Sequence, residues 1–423
     1  MLDLRFIREH PQEVRAGIAF RGLPIDLGPL LALDREALAL RQEREEAAAE
    51  QNRLSKSVPS LKGDEKKRAI ERSKELGARL KPLDERIAAL EARMRPLHLE
   101  VPNLPDPEVP PGLTGAENRE VRRWGEPREF EFEPKDHLAL AEALGLVDMQ
   151  SAARVAGTRT YFLKGDLVLL ELAVLRFALD LIASRGYRPH APPLIVKREA
   201  MEGTGYLPIG ADQAYECTRE DGWLIGTSEV PVTALHAGEI LEENLLPLRY
   251  AGYSACFRRE AGAHGKDTRG LYRVHQFMKV EQVVVSRNDA QESRRLHEEI
   301  LANAEDVLQA LELPYRVVAL CGGDLGRSSA FTYDIETWMP GRGGYGETHS
   351  ASRYYDYQAR RLNLRYRGGD GKVRICHTLN NTVVASPRIL VAILENNQEP
   401  DGTVRVPDVL VPLVGKEVLA PAG

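Results

Sequence analysis

Residues 257–281 read FRREAGAHGKDTRGLYRVHQFMKVE, a strand-like run at each end of a loop crowded with glycine and charge. Further strand-like runs follow at Val280 to Val285 and Tyr315 to Leu320, with an amphipathic helical pattern from Asp289 to Leu311 between them. This alternation predicts a large domain of mixed α and β structure. No repeat of 20 to 50 residues interrupts it.

Upstream the character of the chain changes. VPNLPDPEVPPGLTG, residues 101–115, holds too much proline for a helix or a central strand and reads as an extended linker at a domain boundary. Ahead of it, Leu30 to Leu97 is dominated by Ala, Leu, Glu, Lys, Arg and Gln, broken by SVPSLKGD at Ser57 to Asp64. Two helical limbs around a break predict an antiparallel hairpin. In its second limb Ser73, Leu80, Ile87 and Met94 recur every seven residues, as do Ala69, Leu76, Leu83, Leu90 and Leu97. The first limb answers with Leu33, Leu40, Ala47, Leu54 and Leu61. A limb of about 30 residues reaches roughly 45 Å at 1.5 Å per residue. Pro82 interrupts the pattern; an interior proline removes a hydrogen bond and costs about 3 kcal/mol, which predicts a kink or local break.

A chain of 423 residues suits two or three domains. Its 43% hydrophobic and 28% charged residues are those of a globular protein. MLDLRFIREHP mixes both charges within ten residues and shows no targeting signal, and Leu167 to Ala183 is interrupted by Glu171, Arg176 and Asp180. A cytoplasmic protein without a membrane span is expected. The cysteines, Cys217, Cys256, Cys321 and Cys376, form neither a CxxC pair nor a disulfide framework, so reduced, packed thiols and no zinc are expected.

A net charge of −6 argues mildly against a nucleic-acid partner. Local charge argues otherwise. From Gln51 to Lys81 ten Lys or Arg face four Asp or Glu, whereas Asp34 to Glu50 has three against six. Charge on such a hairpin commonly decorates a solvated face. A basic tip holding Arg53, Lys56, Lys62, Lys66, Lys67, Arg68, Arg72 and Lys74 is also what a phosphate backbone would require.

Residues 257–281 resemble motif 2 of the class II aminoacyl-tRNA synthetases, in the serine-specific form. Other pieces of that pattern are GYRPHAPPLIV from Gly186 with Pro193, TSE at 227–229, GETHSAS from Gly346, and HTLNNTVVASPRILVAILENNQ from His377. With the hairpin, the resemblance spans essentially the whole chain. It implies an α+β protein: a helical tRNA-binding domain at 1–100 with its coiled-coil arm at about 31–97, the linker at 101–115, and an antiparallel-sheet catalytic domain at 116–423. Activation of serine by ATP and transfer to tRNA(Ser), with tRNA(Sec) as a further acceptor to consider, are the implied reactions. The chain would form a homodimer through Leu167 to Val196, although core burial explains that apolar content equally well.

Joining a carboxylate to the α-phosphorus of ATP brings two anions together, so positioning and charge stabilisation do most of the work. Arginine suits it, since its planar fork stays ionised and grips phosphate bidentately. The resemblance implies that Arg258 meets the α-phosphate and Arg388 the γ-phosphate region. Glu260 and Phe277 would read adenine, with Arg259, Val274, Thr348 and His349 completing the nucleotide site. Glu347 and Ser350 would hold Mg²⁺, which typically takes one or two carboxylates and phosphate oxygens. Serine would be read by Glu229 and Thr382 at its hydroxyl and by Thr227 and Glu281 at its ammonium, with Ser228, Asn380 and Arg258 close by. Asn381-Thr382 departs from the frequent Gly-Ser wording; threonine keeps the hydroxyl, and its methyl would tighten the pocket against threonine. His275 and His349 read as structural. Two rivals stay open, an amino-acid ligase acting on a carrier protein and an inactive RNA-binding paralogue. The arm counts against the first, and retention of Arg258, Glu260, Glu281, Glu347 and Arg388 against the second.

Overall fold

A computed structural model describes residues 1–262 and 269–421. The centre of the glycine-rich loop quoted above, 263–268, lies outside the described residues. The chain forms two compact units, one made of 3–18 and 24–101, the other of 1–2, 19–23 and 102 onward.

In the first unit, helices α1 (Gly28–Ser57) and α2 (Gly63–Glu100) form the hairpin. Ion pairs Arg41–Glu91 (2.6 Å), Arg44–Asp84 (2.9 Å) and Glu50–Arg72 (3.0 Å) join rising numbers on one limb to falling numbers on the other, as antiparallel limbs must. Leu40, Ala47, Ala69, Leu76, Leu83, Ile87, Leu90 and Met94 are buried along the seam. Leu33, Leu54, Leu61, Ser73, Leu80 and Leu97 are only partly covered, because a two-helix ribbon buries a single narrow stripe. Near the start of α1, Leu30 and Ala37 form a further buried row beside Leu40 and Ala47 of the row that Leu33 was expected to begin.

The expected break at Pro82 does not occur: α2 runs unbroken through Pro82 and Pro96. Pro82 and Ala78, the residue whose carbonyl loses its donor, are both exposed, so water can reach that position. The buried stripe of Leu76, Leu83 and Ile87 continues past the ring on the other side.

The second unit is built on an eight-stranded sheet. Its strands are β1 (Arg119–Trp124), β2 (Arg188–His190), β3 (Leu248–Phe257), β4 (Gln276–Ser286), β5 (Tyr315–Ala319), β6 (Phe331–Met339), β7 (Gly344–Tyr355) and β8 (His377–Ala385). They lie in the order β1-β5-β6-β7-β8-β4-β3-β2. All pairs are antiparallel except β2 with β3. The expected α+β class with an antiparallel sheet and a preceding hairpin is therefore the observed one.

Helices α3 (Asp166–Ser184), α4 (Ala290–Ala310) and α5 (Ser386–Asn396) supply the core. Side chains on one face of the central strands bond to α4: Gln282 and Asn381 both donate to the Ile300 carbonyl, at 3.0 and 2.5 Å, and Asn303 donates to Gln282 at 2.6 Å. Asn381 thus serves the sheet–helix contact. Because side chains alternate along a strand, its neighbours Asn380 and Thr382 face the other way, and that face carries the site. The proline-rich stretch is no free tether from Pro102 onward. Asn103 donates to the Tyr354 carbonyl at 2.8 Å, and buried Asp106 pairs with Arg353 at 2.9 Å. All four cysteines are free thiols. Among the described residues no helix is long and apolar enough to cross a membrane.

Candidate active site

The site face of β4 presents Phe277, Lys279 and Glu281 at every second position. That of β7 presents Thr348, Ser350, Ser352 and Tyr354, joined by Glu347 near a register shift between β6 and β7. Strand β8 adds Asn380 and Thr382, the latter directly opposite Glu281. With Glu229, Arg258, Glu260, Val274 and Arg388 these residues line one cavity of about 240 Å³.

One end is a buried polar network. Lys279 Nζ lies 2.5 Å from Glu281 and donates to the Thr227 hydroxyl at 2.6 Å. Asn380 Nδ2 donates to both Glu229 and Glu281, each at 2.9 Å, and the Thr382 hydroxyl donates to Glu281 at 3.3 Å. Glu229 also accepts from Gln358 (2.7 Å) and the Tyr206 hydroxyl (3.0 Å). Two carboxylates and one ammonium leave a negative charge unmatched. Burial, followed by the charge of Glu281, pushes the Glu229 carboxyl above its ordinary range. Burial and the Glu229 charge raise the Tyr206 phenol too, so it stays a donor. A ligand ammonium would supply the missing cation.

The other end is cationic. Arg258 donates to the Gly226 carbonyl at 3.2 Å and lies 5.3 Å from the centre of the Phe277 ring. Arg273 pairs with Glu260 at 3.3 Å. Arg388 reaches the Glu347 carboxylate at 3.1 Å and its carbonyl at 2.9 Å, and stacks 4.7 Å from the Tyr272 ring centre. Glu347 is 44% exposed into the cavity yet ringed by charge. Burial acts to raise its pKa, and Arg388 and Arg258 overcome that and hold it below the ordinary range. Glu260 has φ of +51°, a left-handed conformation rare for a side chain of its kind, which is typical of functional sites.

Four of the residues singled out in the sequence do not line this cavity. Arg259 points to solvent. Thr227 is buried behind Lys279, its hydroxyl accepting from Lys279 and from the Glu229 amide (3.2 Å). Ser228 donates to the Gly252 carbonyl and accepts from Ser254. His349 is buried between Thr348 (2.8 Å) and the Val383 carbonyl (3.0 Å), and burial lowers it to about 4, so it is neutral and structural; His275 is tied to the Arg258 carbonyl at 3.0 Å. Lining residues that the sequence reading missed include Tyr206, Tyr272, Arg273, Lys279, Ser352 and Tyr354. Lys279 alone carried a local signal, since it sits midway between Phe277 and Glu281 at strand spacing.

On the hairpin, the eight basic residues singled out are all exposed. Arg72 is engaged by Glu50 and by Glu75 (3.3 Å), and Lys67 lies 3.9 Å from Asp64. Arg53, Lys56, Lys62, Lys66, Arg68 and Lys74 make no ion pair with a described residue.

An antiparallel sheet carrying arginines over one cavity matches what comparison finds. Residues 215–397 match the family described as tRNA synthetase class II core domain (G, H, P, S and T), which defines the class of the second unit. Residues 1–105 match the seryl-tRNA synthetase N-terminal domain. The chain is 48% identical to a serine–tRNA ligase of Deinococcus radiodurans over 99% of both chains, and 46% identical to that of Rubrobacter xylanophilus over the full length of both. It superposes on seryl-tRNA synthetase from Pyrococcus horikoshii complexed with ATP with a TM-score of 0.93, 40% identity and full coverage of both chains. The chain belongs to the seryl-tRNA synthetase family.

Proposed function

We propose that this protein is a serine–tRNA ligase that joins L-serine to AMP from ATP and passes the seryl group to the 3′ end of tRNA(Ser). The observation that carries the reading is the charge layout of one cavity: an unmatched carboxylate at one end and Arg258, Arg273 and Arg388 at the other. A zwitterionic amino acid fits with its ammonium at the acidic end and its carboxylate facing the arginines.

In activation, a serine carboxylate oxygen attacks the α-phosphorus, the bond to the bridging oxygen breaks, and pyrophosphate leaves. Arg258, fixed by Gly226 and Phe277, neutralises charge at the α-phosphate, and Arg388 does so at the leaving pyrophosphate. Glu260 and Phe277 read adenine. Glu281 and Lys279 orient the acidic end, while Glu229 and Thr382 bind the serine hydroxyl. In transfer, a terminal ribose hydroxyl of the tRNA attacks the seryl carbonyl and AMP departs.

The residues present fit Mg²⁺. Glu347 and Ser350 both face the cavity, and opposite Ser350 stands Asp334, whose Oδ1 is buried without a partner among the described residues. Burial and the neighbouring Glu347 raise Asp334, as expected of carboxylates short of positive charge. Glu347 and Ser350 would hold the ion, which would supply charge neutralisation at the phosphates.

We assign RNA binding to residues 1–100 through the basic tip of the arm at about 31–97, joined by 101–115 to catalysis at 116–423. Recognition would be by shape and phosphate. A homodimer is supported by apolar side chains left open on and after α3, Leu169, Leu172 and Ile195, which are 44%, 52% and 50% exposed. A cytoplasmic setting follows from the tRNA substrate. Pyrophosphate exchange across the twenty amino acids, then aminoacylation of tRNA(Ser) and tRNA(Sec), tests the reading. No serine-dependent exchange would refute it.

A further inference from the structure

Helix α5 carries Arg388 near its start, in the activation cavity, and Glu395 near its end, about two turns away. Glu395 is fully buried, and no lysine or arginine pairs with it among the described residues. Its Oε1 accepts from the His137 amide at 3.0 Å and lies 2.8 Å from ring Nδ1 of the same residue, while Oε2 accepts from the Gly341 amide at 2.9 Å. His137 opens a short helix, His137–Ala143, and its ring is mostly buried. The other ring nitrogen, Nε2, accepts from the Leu271 amide at 3.1 Å. A backbone amide can only donate, so Nε2 carries the lone pair and the ring proton sits on Nδ1, facing Glu395. Leu271 is buried, and its amide has no other acceptor among the described residues. Gly270 permits this approach: its φ is +78°, and a Cβ there would stand 2.2 Å from Nε2.

The next residue is Tyr272, and it holds Arg388. Its carbonyl accepts from Arg388 Nε at 3.3 Å, and its hydroxyl donates to the Glu347 carbonyl at 3.1 Å. The guanidinium of Arg388 lies 4.7 Å from the centre of the Tyr272 ring, and that of Arg342 lies 4.2 Å from it. Two routes therefore lead from Glu395 to Tyr272. One runs through the His137 ring and the backbone of Leu271, the other through Gly341 and its neighbour Arg342. Neither His137 nor Glu395 lines the activation cavity.

Resting on the ligase reading above, we infer that His137, backed by Glu395, is a positioning residue for the nucleotide end of the cavity. It pins the backbone at Leu271, so that the Tyr272 carbonyl stands fixed where Arg388 Nε can use it. Charge stabilisation at a leaving pyrophosphate depends on donors that are already in place when the charge develops. An arginine is a long, flexible side chain, and holding it in one geometry costs rotamer entropy unless fixed acceptors do so beforehand. The acidic end of the cavity lies on the far side, among Glu229, Lys279 and Glu281, and shares no hydrogen bond with this chain of contacts. Loss of the His137 contact should therefore weaken ATP binding and leave serine binding alone.

Two variants of the full chain separate the two ring nitrogens. The amide of His137→Asn reaches where Nδ1 stands and keeps a donor for Glu395, whereas that of His137→Gln reaches where Nε2 stands and keeps an acceptor for Leu271. In serine-dependent pyrophosphate exchange, His137→Asn should raise the KM for ATP by about tenfold, the order expected when a buried amide loses its acceptor. The KM for serine should not move, and His137→Gln should recover most of the loss. In an Arg388→Lys background no Nε reaches Tyr272, so adding His137→Asn should cost less there than it does alone. Melting curves accompany each variant. An unchanged KM for ATP in His137→Asn would overturn the inference, as would equal cost in both backgrounds or no recovery in His137→Gln. Loss of folding in His137→Asn, or both KM values rising together, would overturn it too, because the residue would then serve stability alone. Absence of serine-dependent exchange in the unmodified protein would instead sink the ligase reading, and this role with it.

Discussion

Glu229→Gln is nearly isosteric, yet the network around it leaves glutamine no good orientation. Oε1 accepts from the Gln358 amide, and Oε2 accepts from both the Tyr206 hydroxyl and the Asn380 amide. A glutamine must aim its own NH₂ at one of those donors. Gln358 cannot readily turn over to help, since its oxygen already accepts from Thr378 at 2.7 Å. At least one buried donor is left unpaired, costing about 1–3 kcal/mol, and the serine hydroxyl loses a bond to a charged acceptor worth about 1.5–3 kcal/mol. The sum of about 2.5–6 kcal/mol corresponds to roughly two to four decades in kcat/KM for serine. The phosphate end is untouched, so the KM for ATP should hold. Alanine, which has no hydroxyl to lose, should suffer less, and preference for serine over alanine should shrink. Pyrophosphate exchange with each amino acid, with a melting curve to verify folding, measures all three quantities. An unchanged serine-to-alanine ratio would refute the role given to Glu229.

Arg388→Lys keeps the charge but loses the fork whose Nε donates to the Tyr272 carbonyl at 3.3 Å while its Nη1 serves the Glu347 carbonyl and carboxylate. Exchange should drop by about tenfold or more with the KM for serine unchanged, and a near-normal rate would count against the assignment. Replacing Lys62, Lys66, Lys67 and Arg68 by alanine should raise the tRNA KM and flatten its salt dependence, by about 0.7–0.9 log units for each phosphate no longer neutralised, leaving exchange intact; tRNA titrations at several salt concentrations decide this. Burial lowers buried His297 to about 3 and His377 to about 4. The unfolded chain takes up their protons first, so this stability is full above about pH 6.5 and is lost as pH falls toward 4, by roughly 2 kcal/mol per histidine at pH 5. Urea unfolding at pH 7 and 5 measures the loss, which His297→Gln should reduce. Pro82→Ala should stabilise the hairpin by up to about 3 kcal/mol, since the ring makes no buried contact; a lower melting temperature would show that the proline is needed.

The heptad rows and the strand-like runs were readable because each is a local period, and a buried stripe or face enforces it. Pro82 misled because propensity counts the missing hydrogen bond but not where the orphaned carbonyl points. The acidic end of the cavity was harder to read. Tyr206, Glu229, Gln358 and Asn380 meet from four separate elements, and no spacing in the sequence announces that Gln358 closes the network. Lys279 is the instructive miss. Its position between Phe277 and Glu281 placed it on the site face, but lysine in a strand is habitually assigned to solvent, and only the carboxylate beside it makes its burial tolerable. Asn381 errs in the opposite sense: it departs from the frequent wording next to a serine contact, yet strand alternation turns it toward α4.

The total charge of −6 also pointed away from RNA, and the structure explains why a total is a poor guide here. At physiological ionic strength exposed charges are screened over about 8 Å, so a phosphate meeting the hairpin tip senses the residues of that tip and little else. There the lysines and arginines are exposed, and most are unpaired among the described residues. Along the ribbon, Glu43 and Glu50 of α1 pair with Arg79 and Arg72 of α2, Asp84 and Glu91 of α2 pair with Arg44 and Arg41 of α1, and these charges cancel. The ion pairs that hold the limbs together thus use up the acidic charge along the ribbon and leave the cations uncompensated at the end that would meet the RNA. In the activation cavity the same rule acts at shorter range: three arginines and a lone surplus carboxylate, separated within one cavity, set opposite potentials for the two ends of a zwitterion.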